Sequence, residues 1–177
     1  MGLIVRSSAI HAAGCYTTSD ISNGTRIVEY TGRRINKDLA DEIYEDNPIT
    51  YLFGITDDIV IDGHGVAMFI NHCCDPNCET DEIDGRIWII AIRDIRADEE
   101  LTYDYCLFDG DDGDEALCYC GASNCRKTMY SEEEVERRTK AAKKALQAAQ
   151  KKTKAKNPAA VPENLKHNGN ATLLNAD

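Results

Sequence analysis

No apolar run in the sequence approaches the roughly 20 residues that a membrane-spanning helix needs, so we expect a soluble protein with no membrane partner. A secretory signal is also lacking, because the apolar start from Met1 to Val5 is short and Arg6 follows at once. We therefore expect that the protein is not conventionally secreted. Its 177 residues, 42% of them hydrophobic, suffice for one ordinary core but not for two.

Basic charge is scarce before Ser131. Residues 1–130 hold 10 Lys and Arg against 25 Asp and Glu, a net charge of −15, whereas residues 131–177 hold 10 against 6, a net charge of +4. An acidic body is a poor match for a nucleic-acid backbone. It suits a basic ligand, such as a lysine-rich protein tail, although acidity that serves only solubility is an alternative explanation.

Cysteine, by contrast, is abundant. The eight cysteines are Cys15, Cys73, Cys74, Cys78, Cys106, Cys118, Cys120 and Cys125. In a chain without an export signal they indicate a reducing compartment and metal binding rather than disulfides. Zinc is therefore the first hypothesis for a bound metal.

One cysteine triplet has the spacing of a partial structural zinc site. The C-x-C-x4-C pattern is formed by Cys118, Cys120 and Cys125. A tetrahedral zinc needs a fourth ligand, and spacing alone leaves both Cys74 and Cys78 open, with unligated buried thiols as the alternative. His72 follows an apolar segment, and we interpret it as a hydrogen-bonding core residue rather than a metal ligand.

Short apolar runs separated by turn signals predict a compact, mainly β domain before Ser131. The runs are Ile27 to Tyr30, Ile59 to Ile61 and Arg86 to Ile92, and their turn signals are Thr31-Gly32, Asp62-Gly63 and Asp84-Gly85. One stretch, Asn36 to Glu45, has apolar residues at helical spacing and predicts a short helix.

The composition changes at Ser131. This residue and the three glutamates after it are typical of a capped helix start, and the Ala- and Lys-rich run that follows predicts a basic helix over residues 131–155. The apolar stripe of this helix is thin, so we interpret it as a solvated helix. Residues 156–177 are polar with scattered Pro and Gly, and we expect them to be disordered.

Three blocks together resemble the SET domain, the fold of a large class of protein-lysine methyltransferases. Phe69 to Asn77 (FINHCCDPN) is similar to the family's F-I-N-H-S-C-x-P-N segment, and Glu99 to Tyr105 (EELTYDY) is similar to its G-E-E-L-T-[FY]-D-Y segment. Cys118 to Lys127 resembles the zinc-binding post-SET tail, most closely that of the trithorax type. A fourth block, Ala12 to Tyr16, lies where the family has G-x-G-L-F.

The resemblance implies a mainly β SET (β-clip) fold with a knot-like core, short helices and a C-terminal helical extension. It divides the chain into a SET domain over residues 1–112 and a post-SET segment over residues 113–130, ahead of the basic helix and the tail. The implied cofactors are S-adenosyl-L-methionine and Zn²⁺. The residues implied to bind S-adenosylmethionine are Ala13, Gly14, Tyr51, Asn71, His72 and Tyr105. The implied catalytic residues of the methyl-transfer channel are Tyr105, Tyr103 and Tyr51, and the implied zinc ligands are Cys74, Cys118, Cys120 and Cys125.

Methyl transfer to lysine requires an in-line arrangement and an uncharged amine. Less than about 0.1% of free lysine is neutral at pH 7, and an apolar channel beside a cationic sulfur lowers the lysine pKa by desolvation and repulsion. Tyrosine walls suit this task, because their faces hold a cationic amine while a hydroxyl orients its lone pair. Tyr103 stands where the family has Phe or Tyr, and it predicts monomethylation, with dimethylation as the alternative.

The main departure from the family pattern is Ala12, which replaces the first glycine of G-x-G and adds a Cβ where the backbone approaches the cofactor. This departure leaves open a second hypothesis, a non-catalytic peptide-binding SET-like module. A third hypothesis is salt-sensitive nucleic-acid attachment through the Lys-rich segment 140–156, although we expect no direct nucleic-acid binding by the acidic body.

The expected partner is a lysine-containing basic protein or peptide, with a histone tail in chromatin as the family-level expectation. The protein's own basic tail is a further candidate, which would be methylated in cis. A eukaryotic source would indicate the nucleus, whereas a bacterial source would indicate the cytoplasm or delivery to a host.

Overall fold

The computed structural model describes residues 2–47, 49–108, 110 and 113–156. The chain divides after Val135 into two units. The first unit contains all the strands, and the second consists, within the described residues, of the continuation of one helix. Among these described residues, no helix is both long enough and apolar enough to cross a membrane.

Ten short strands lie in the described part of the first unit. They are β1 (Leu3–Ser7), β2 (Ala13–Thr17), β3 (Arg26–Glu29), β4 (Gly32–Asn36), β5 (Leu52–Gly54), β6 (Ile59–Gly63), β7 (Asn71–His72), β8 (Cys78–Ile83), β9 (Arg86–Ala91) and β10 (Thr102–Tyr103). They form four small sheets, in the orders β1-β2, β3-β9-β8, β4-β6-β5 and β7-β10. The predicted mainly β architecture with few helices is therefore confirmed.

The pairing of β7 with β10 brings two distant sequence blocks together. These strands are parallel, with Asn71 opposite Thr102 and His72 opposite Tyr103, whereas all the other strand pairs among the described residues are antiparallel. Ile70 and Leu101, which directly precede the two strands, are 1% and 0% exposed. Burial of such a side chain contributes roughly 1.5–3 kcal/mol, so the core fixes both strands at their starts.

Two of the predicted turn signals lie inside strands instead. Gly32 begins β4 and pairs with Gly63 at the end of β6. A Cβ at Gly32 would overlap the backbone carbonyl of Asp62, and a Cβ at Gly63 would lie 2.7 Å from the Tyr30 hydroxyl. Both glycines are therefore required by close approach rather than by a turn. The third signal, Asp84-Gly85, is a true hairpin turn with φ angles of 53° and 72°.

The helices lie close to their predicted positions. Helix α1 spans Lys37–Tyr44, and the side chain of Asn36 caps it by accepting a hydrogen bond from the Asp38 N–H. A single 3-10 turn, Val66–Phe69, leads into β7. Helix α2 spans Glu132–Lys156, and the Ser131 hydroxyl accepts from the Glu134 N–H at its start. Apart from Lys156, the tail predicted to be disordered lies outside the described residues.

Candidate active site and metal centre

An aromatic cavity of about 310 Å³ lies beside β5, β6 and β10. Its aromatic lining residues are Tyr30, Tyr51, Phe53, Tyr103, Tyr105 and Phe108. The structure thus brings together the three tyrosines that the sequence assigned to a methyl-transfer channel. Sequence reasoning missed Tyr30, Phe53 and Phe108, because each comes from a segment outside the recognised motifs.

The tyrosine rings stand close to one another, but their hydroxyls differ in hydrogen bonding. The ring centroids of Tyr103 and Tyr105 are 4.8 Å apart, and those of Phe53 and Tyr103 are 6.4 Å apart. Tyr105 donates to the Ile70 carbonyl at 3.0 Å, which fixes its ring against β7. Within the described part of the chain, no group forms a hydrogen bond with the Tyr103 hydroxyl.

Burial keeps these hydroxyls neutral. It raises the pKa of Tyr105 to about 12, although a hydrogen bond with the His72 backbone opposes the shift, and it raises the pKa of Tyr103 well above its usual range. At neutral pH the cavity therefore offers neutral hydroxyls and aromatic faces. Such walls disfavour an isolated ammonium by desolvation, while the ring faces still attract a cationic or methylated amine.

A second site lies where Asn71 of β7 meets the hairpin of β1 and β2, and β7 pairs with β10, which carries Tyr103 of the cavity. The Asn71 Nδ2 donates to the Ala13 carbonyl at 2.9 Å and to the Glu100 carboxylate at 2.8 Å. Both neighbours are acceptors, so the amide nitrogen must face them and the Oδ1 faces away. No described donor reaches that Oδ1. The structure thus places Ala13, Gly14 and Asn71 together, with an acceptor left free.

The conformation of the hairpin shows what Ala12 and Gly14 each contribute. Ala12 has a φ of 34°, which is in the left-handed region and costs a non-glycine residue roughly 1–2 kcal/mol. Two residues later, a Cβ at Gly14 would overlap the Glu100 carboxylate. Packing therefore requires the glycine at position 14, whereas Ala12 introduces backbone strain.

Four cysteine thiols converge beyond β7. The sulfurs of Cys74, Cys118, Cys120 and Cys125 all lie within 4.8 Å of one another, and this cluster could hold a metal ion. The Cys74 sulfur lies 3.8 Å from that of Cys118 and 4.0 Å from that of Cys125, and the latter two are 3.7 Å apart. A tetrahedron with zinc–sulfur bonds of about 2.3 Å has edges of about 3.8 Å, so the three distances among Cys74, Cys118 and Cys125 fit zinc.

Backbone N–H groups surround these sulfurs. The Cys74 N–H points at the Cys120 sulfur at 3.5 Å, and the Arg126 N–H points at the Cys74 sulfur at 3.4 Å. Burial by itself raises the pKa of Cys120, but the N–H groups of Cys74 and Ala122 and the neighbouring thiols lower it to about 6. The surroundings therefore favour a thiolate at Cys120, the form that binds metal, whereas burial raises the pKa of Cys74 and Cys118.

The alternative fourth ligand, Cys78, is excluded by its position. It is the first residue of β8, is fully buried and belongs to the central hydrophobic cluster. Cys73, the neighbour of Cys74, hydrogen-bonds with the backbone of Asp75 and also interacts with Cys120. Neither thiol belongs to the group of four.

His72 connects the thiol cluster with the tyrosines. Its Nδ1 accepts a hydrogen bond from the Tyr105 N–H at 3.1 Å, so the neutral ring carries its proton on Nε2 and donates to the Cys74 sulfur at 3.3 Å. Burial lowers the His72 pKa, which keeps the ring neutral. His72 is thus a buried hydrogen-bonding residue outside the group of four cysteines, as the sequence indicated.

An ion pair that sequence reasoning missed provides a second connection. Arg126, next to Cys125, donates from both terminal nitrogens to the two carboxylate oxygens of Asp104, at 2.7 and 2.8 Å. Burial raises the pKa of Asp104, but these bonds outweigh it and lower that pKa overall. Since Asp104 lies between Tyr103 and Tyr105, the pair ties the cysteine segment to the tyrosines.

Comparison with known proteins gives a consistent result. Residues 12–106 match the family model described as the SET domain. The chain is 46% identical over 132 residues to an H3 lysine-4 specific histone-lysine N-methyltransferase of Saccharomyces cerevisiae, an alignment that covers 67% of this chain. It is 44% identical over 133 residues to the protein of the same name from Candida albicans, again with 67% of this chain covered. It is 41% identical over 133 residues to the histone-lysine N-methyltransferase trithorax of Drosophila melanogaster, an alignment that covers 69% of this chain.

These relatives are much longer proteins. The aligned part makes up 12% of the Saccharomyces relative, 13% of the Candida relative and 4% of trithorax. The chain therefore corresponds to one domain of each relative.

Proposed function

The chain belongs to the SET-domain family, and on this basis we propose that it is a protein-lysine N-methyltransferase that uses S-adenosyl-L-methionine. One observation carries the proposal. The paired strands β7 and β10 contribute to both places, because Asn71 of β7 contacts Ala13 and Tyr103 of β10 lines the tyrosine-walled cavity, so a lysine channel and a cofactor site would lie on one strand pair. The names of the relatives, all histone-lysine N-methyltransferases, support the same activity.

The residues around Asn71 suit the cofactor's amino-acid end. When bound, S-adenosylmethionine supplies an electrophilic methyl group on a cationic sulfur. The free Oδ1 of Asn71 is an acceptor for an ammonium group, and the hairpin at Ala13 and Gly14 offers backbone within reach. We assign Tyr51, His72 and Tyr105 to the same site, since His72 contacts Tyr105 and both tyrosines line the aromatic cavity.

In this proposal the tyrosines hold and orient the substrate amine. Tyr105 is the catalytic tyrosine, and Tyr51 and Tyr103 complete the wall. Because burial keeps the Tyr105 hydroxyl protonated, the residue acts as an orienting group and not as a base. The lysine gives its proton to bulk water before it enters, because the cavity disfavours the ammonium form.

Tyr103 would limit the product to monomethyl-lysine. Its hydroxyl has no hydrogen-bond partner among the described residues, so it is available to hold a water molecule. A water held there would occupy the space that a second methyl group needs. The 4.8 Å separation of the Tyr103 and Tyr105 rings supports a narrow site.

We also propose that zinc is the metal of the four-cysteine cluster. Its chemistry would be structural, because four thiolates leave no open position for a substrate. Zinc there would hold residues 118–125 against Cys74, and through Arg126 it would support the tyrosines.

A histone tail in the nucleus is the substrate that we propose. The relatives from Saccharomyces and Candida are named for lysine 4 of histone H3. The net charge of −15 over residues 1–130 favours a basic peptide.

Radiolabelled methyl transfer from S-adenosylmethionine to core histones tests the function. We expect label on histone H3 from the wild type and none from Tyr105→Phe. Tyr119→Phe is the matched control, because Tyr119 is 75% exposed and does not line the cavity, and it should retain activity. Equal labelling by wild type and Tyr105→Phe would refute the assigned role. A gain in intact mass of the protein itself would identify the basic tail as the substrate instead.

A further inference from the structure

The carboxylate of Glu100 accepts hydrogen bonds from three different side chains. It receives the Ser8 hydroxyl at 2.7 and 2.9 Å, the Tyr16 hydroxyl at 2.8 Å and the Asn71 amide at 2.8 Å. These donors come from β7, from β2 and from the loop after β1. One carboxylate therefore joins the three segments that meet at the Asn71 amide nitrogen.

The backbone of Glu100 is held as firmly as its side chain. Glu100 forms an isolated antiparallel bridge with Tyr16, and the next N–H, of Leu101, donates to the Cys15 carbonyl at 2.8 Å. Gly14 lies directly against the carboxylate, where any Cβ would overlap it. The carboxylate is thus fixed in place beside the hairpin.

This placement determines which way the Asn71 amide points. A carboxylate can only accept, so it takes the Nδ2 and leaves the Oδ1 facing away from it. If Glu100 were absent, the Ser8 and Ala13 oxygens would still attract the Nδ2, but the contact at 2.8 Å would be lost. The amide could then rotate and lose its acceptor direction.

We propose that Glu100 is a positioning residue for S-adenosylmethionine. Glu100 holds Asn71 and the hairpin in their binding arrangement, and its negative charge favours the cationic cofactor over the product, S-adenosylhomocysteine. The inference depends on the proposed function, because it assumes that this site binds the cofactor. S-adenosylmethionine carries one positive charge more than S-adenosylhomocysteine, so a fixed carboxylate nearby stabilises the former more.

Calorimetric titration of the full chain with each of the two ligands provides the test. Glu100→Gln keeps the size and an accepting oxygen but removes the charge. We expect it to weaken S-adenosylmethionine binding about tenfold and S-adenosylhomocysteine binding only about twofold, so that the ratio of affinities falls about fivefold. Glu99→Gln is the matched control, since the Glu99 side chain faces Arg93 and the Arg96 N–H instead, and both affinities should stay within about twofold of wild type.

The ratio of the two affinities distinguishes the effect of the Glu100 charge from a general structural defect. Loss of the Asn71 arrangement alone would weaken both ligands equally, and that result would overturn the assigned effect of the charge. Unchanged affinities would overturn the whole proposal. Glu100→Asp, which keeps the charge on a shorter side chain, should restore most of the ratio. Failure of the wild type to bind either ligand would refute the proposed function itself.

Discussion

Loss of the Arg126 guanidinium should destabilise the domain more than the loss of an ordinary surface ion pair. Arg126 and Asp104 are only 20% and 25% exposed at their side chains, and both carboxylate oxygens are engaged. A hydrogen bond to a charged group contributes roughly 1.5–3 kcal/mol, and the remaining exposure reduces the sum. We therefore expect a coupling free energy of about 2 kcal/mol for the pair.

A double-mutant cycle measures this coupling. Arg126→Gln, Asp104→Asn and the double variant are unfolded in urea with zinc in excess, and the change in unfolding free energy is compared with wild type. For a domain of this size, Arg126→Gln should also lower the Tm by about 6–8 °C. The control cycle removes Arg93 and Glu99, a pair with 51% and 29% side-chain exposure, whose coupling should stay below about 1 kcal/mol.

The stabilisation that the Arg126–Asp104 pair provides should also depend on pH. The folded pKa of Asp104 lies below the unfolded value of about 3.9, so the stabilisation is complete well above that value and is lost as the pH falls through the folded pKa. The difference between wild type and Arg126→Gln should therefore vanish in acid. A coupling below about 0.5 kcal/mol at pH 7 would refute the reasoning.

Four further outcomes are expected. Tyr103→Phe should shift the product toward di- and trimethyl-lysine in mass spectra of a histone H3 peptide, and continued formation of monomethyl-lysine alone would contradict the role of its hydroxyl. Cys74→Ser should abolish stoichiometric zinc binding, measured by elemental analysis, and should speed amide hydrogen exchange in residues 118–126. Full retention of zinc would contradict the role of Cys74 as a ligand. The rate of methyl transfer should rise with pH as the substrate lysine deprotonates. It should not fall again below about pH 11, because the Tyr105 pKa is about 12. A fall in rate near pH 9, in a protein that is still folded, would contradict this. Ala12→Gly should raise the unfolding free energy by about 1 kcal/mol in urea, since it relieves a φ of 34°, and a loss of stability would show that this backbone is not strained.

Local sequence patterns predicted most of the individual elements. Helix α1 follows from its apolar spacing and from Asn36 as its cap, and the Asp84-Gly85 turn follows from a dipeptide that tolerates positive φ. Gly32 and Gly63 misled the analysis because a glycine required by a close contact looks the same in sequence as a glycine required by a turn.

The choice between Cys74 and Cys78 shows what spacing cannot determine. The two residues are four apart in an irregular segment, and only the register of β8 decides that Cys78 faces the core. Family resemblance selected Cys74 where the physics of spacing did not. The roles of Glu100 and Arg126 depend on long-range contacts in the same way, although both residues stand inside recognised motif blocks.

The separation of Cys74 from its partners along the chain affects the way in which the domain is made. Cys118 follows Cys74 by 44 residues, and a ribosome adds about 5–20 residues per second. For about 2–9 s the nascent chain therefore presents Cys74 without the triplet, beside a core that is already collapsing. During this interval its thiol is open to oxidants and to competing metals, from which the completed cluster shields it. The availability of zinc and reductant during synthesis, more than afterwards, should set the yield of folded protein.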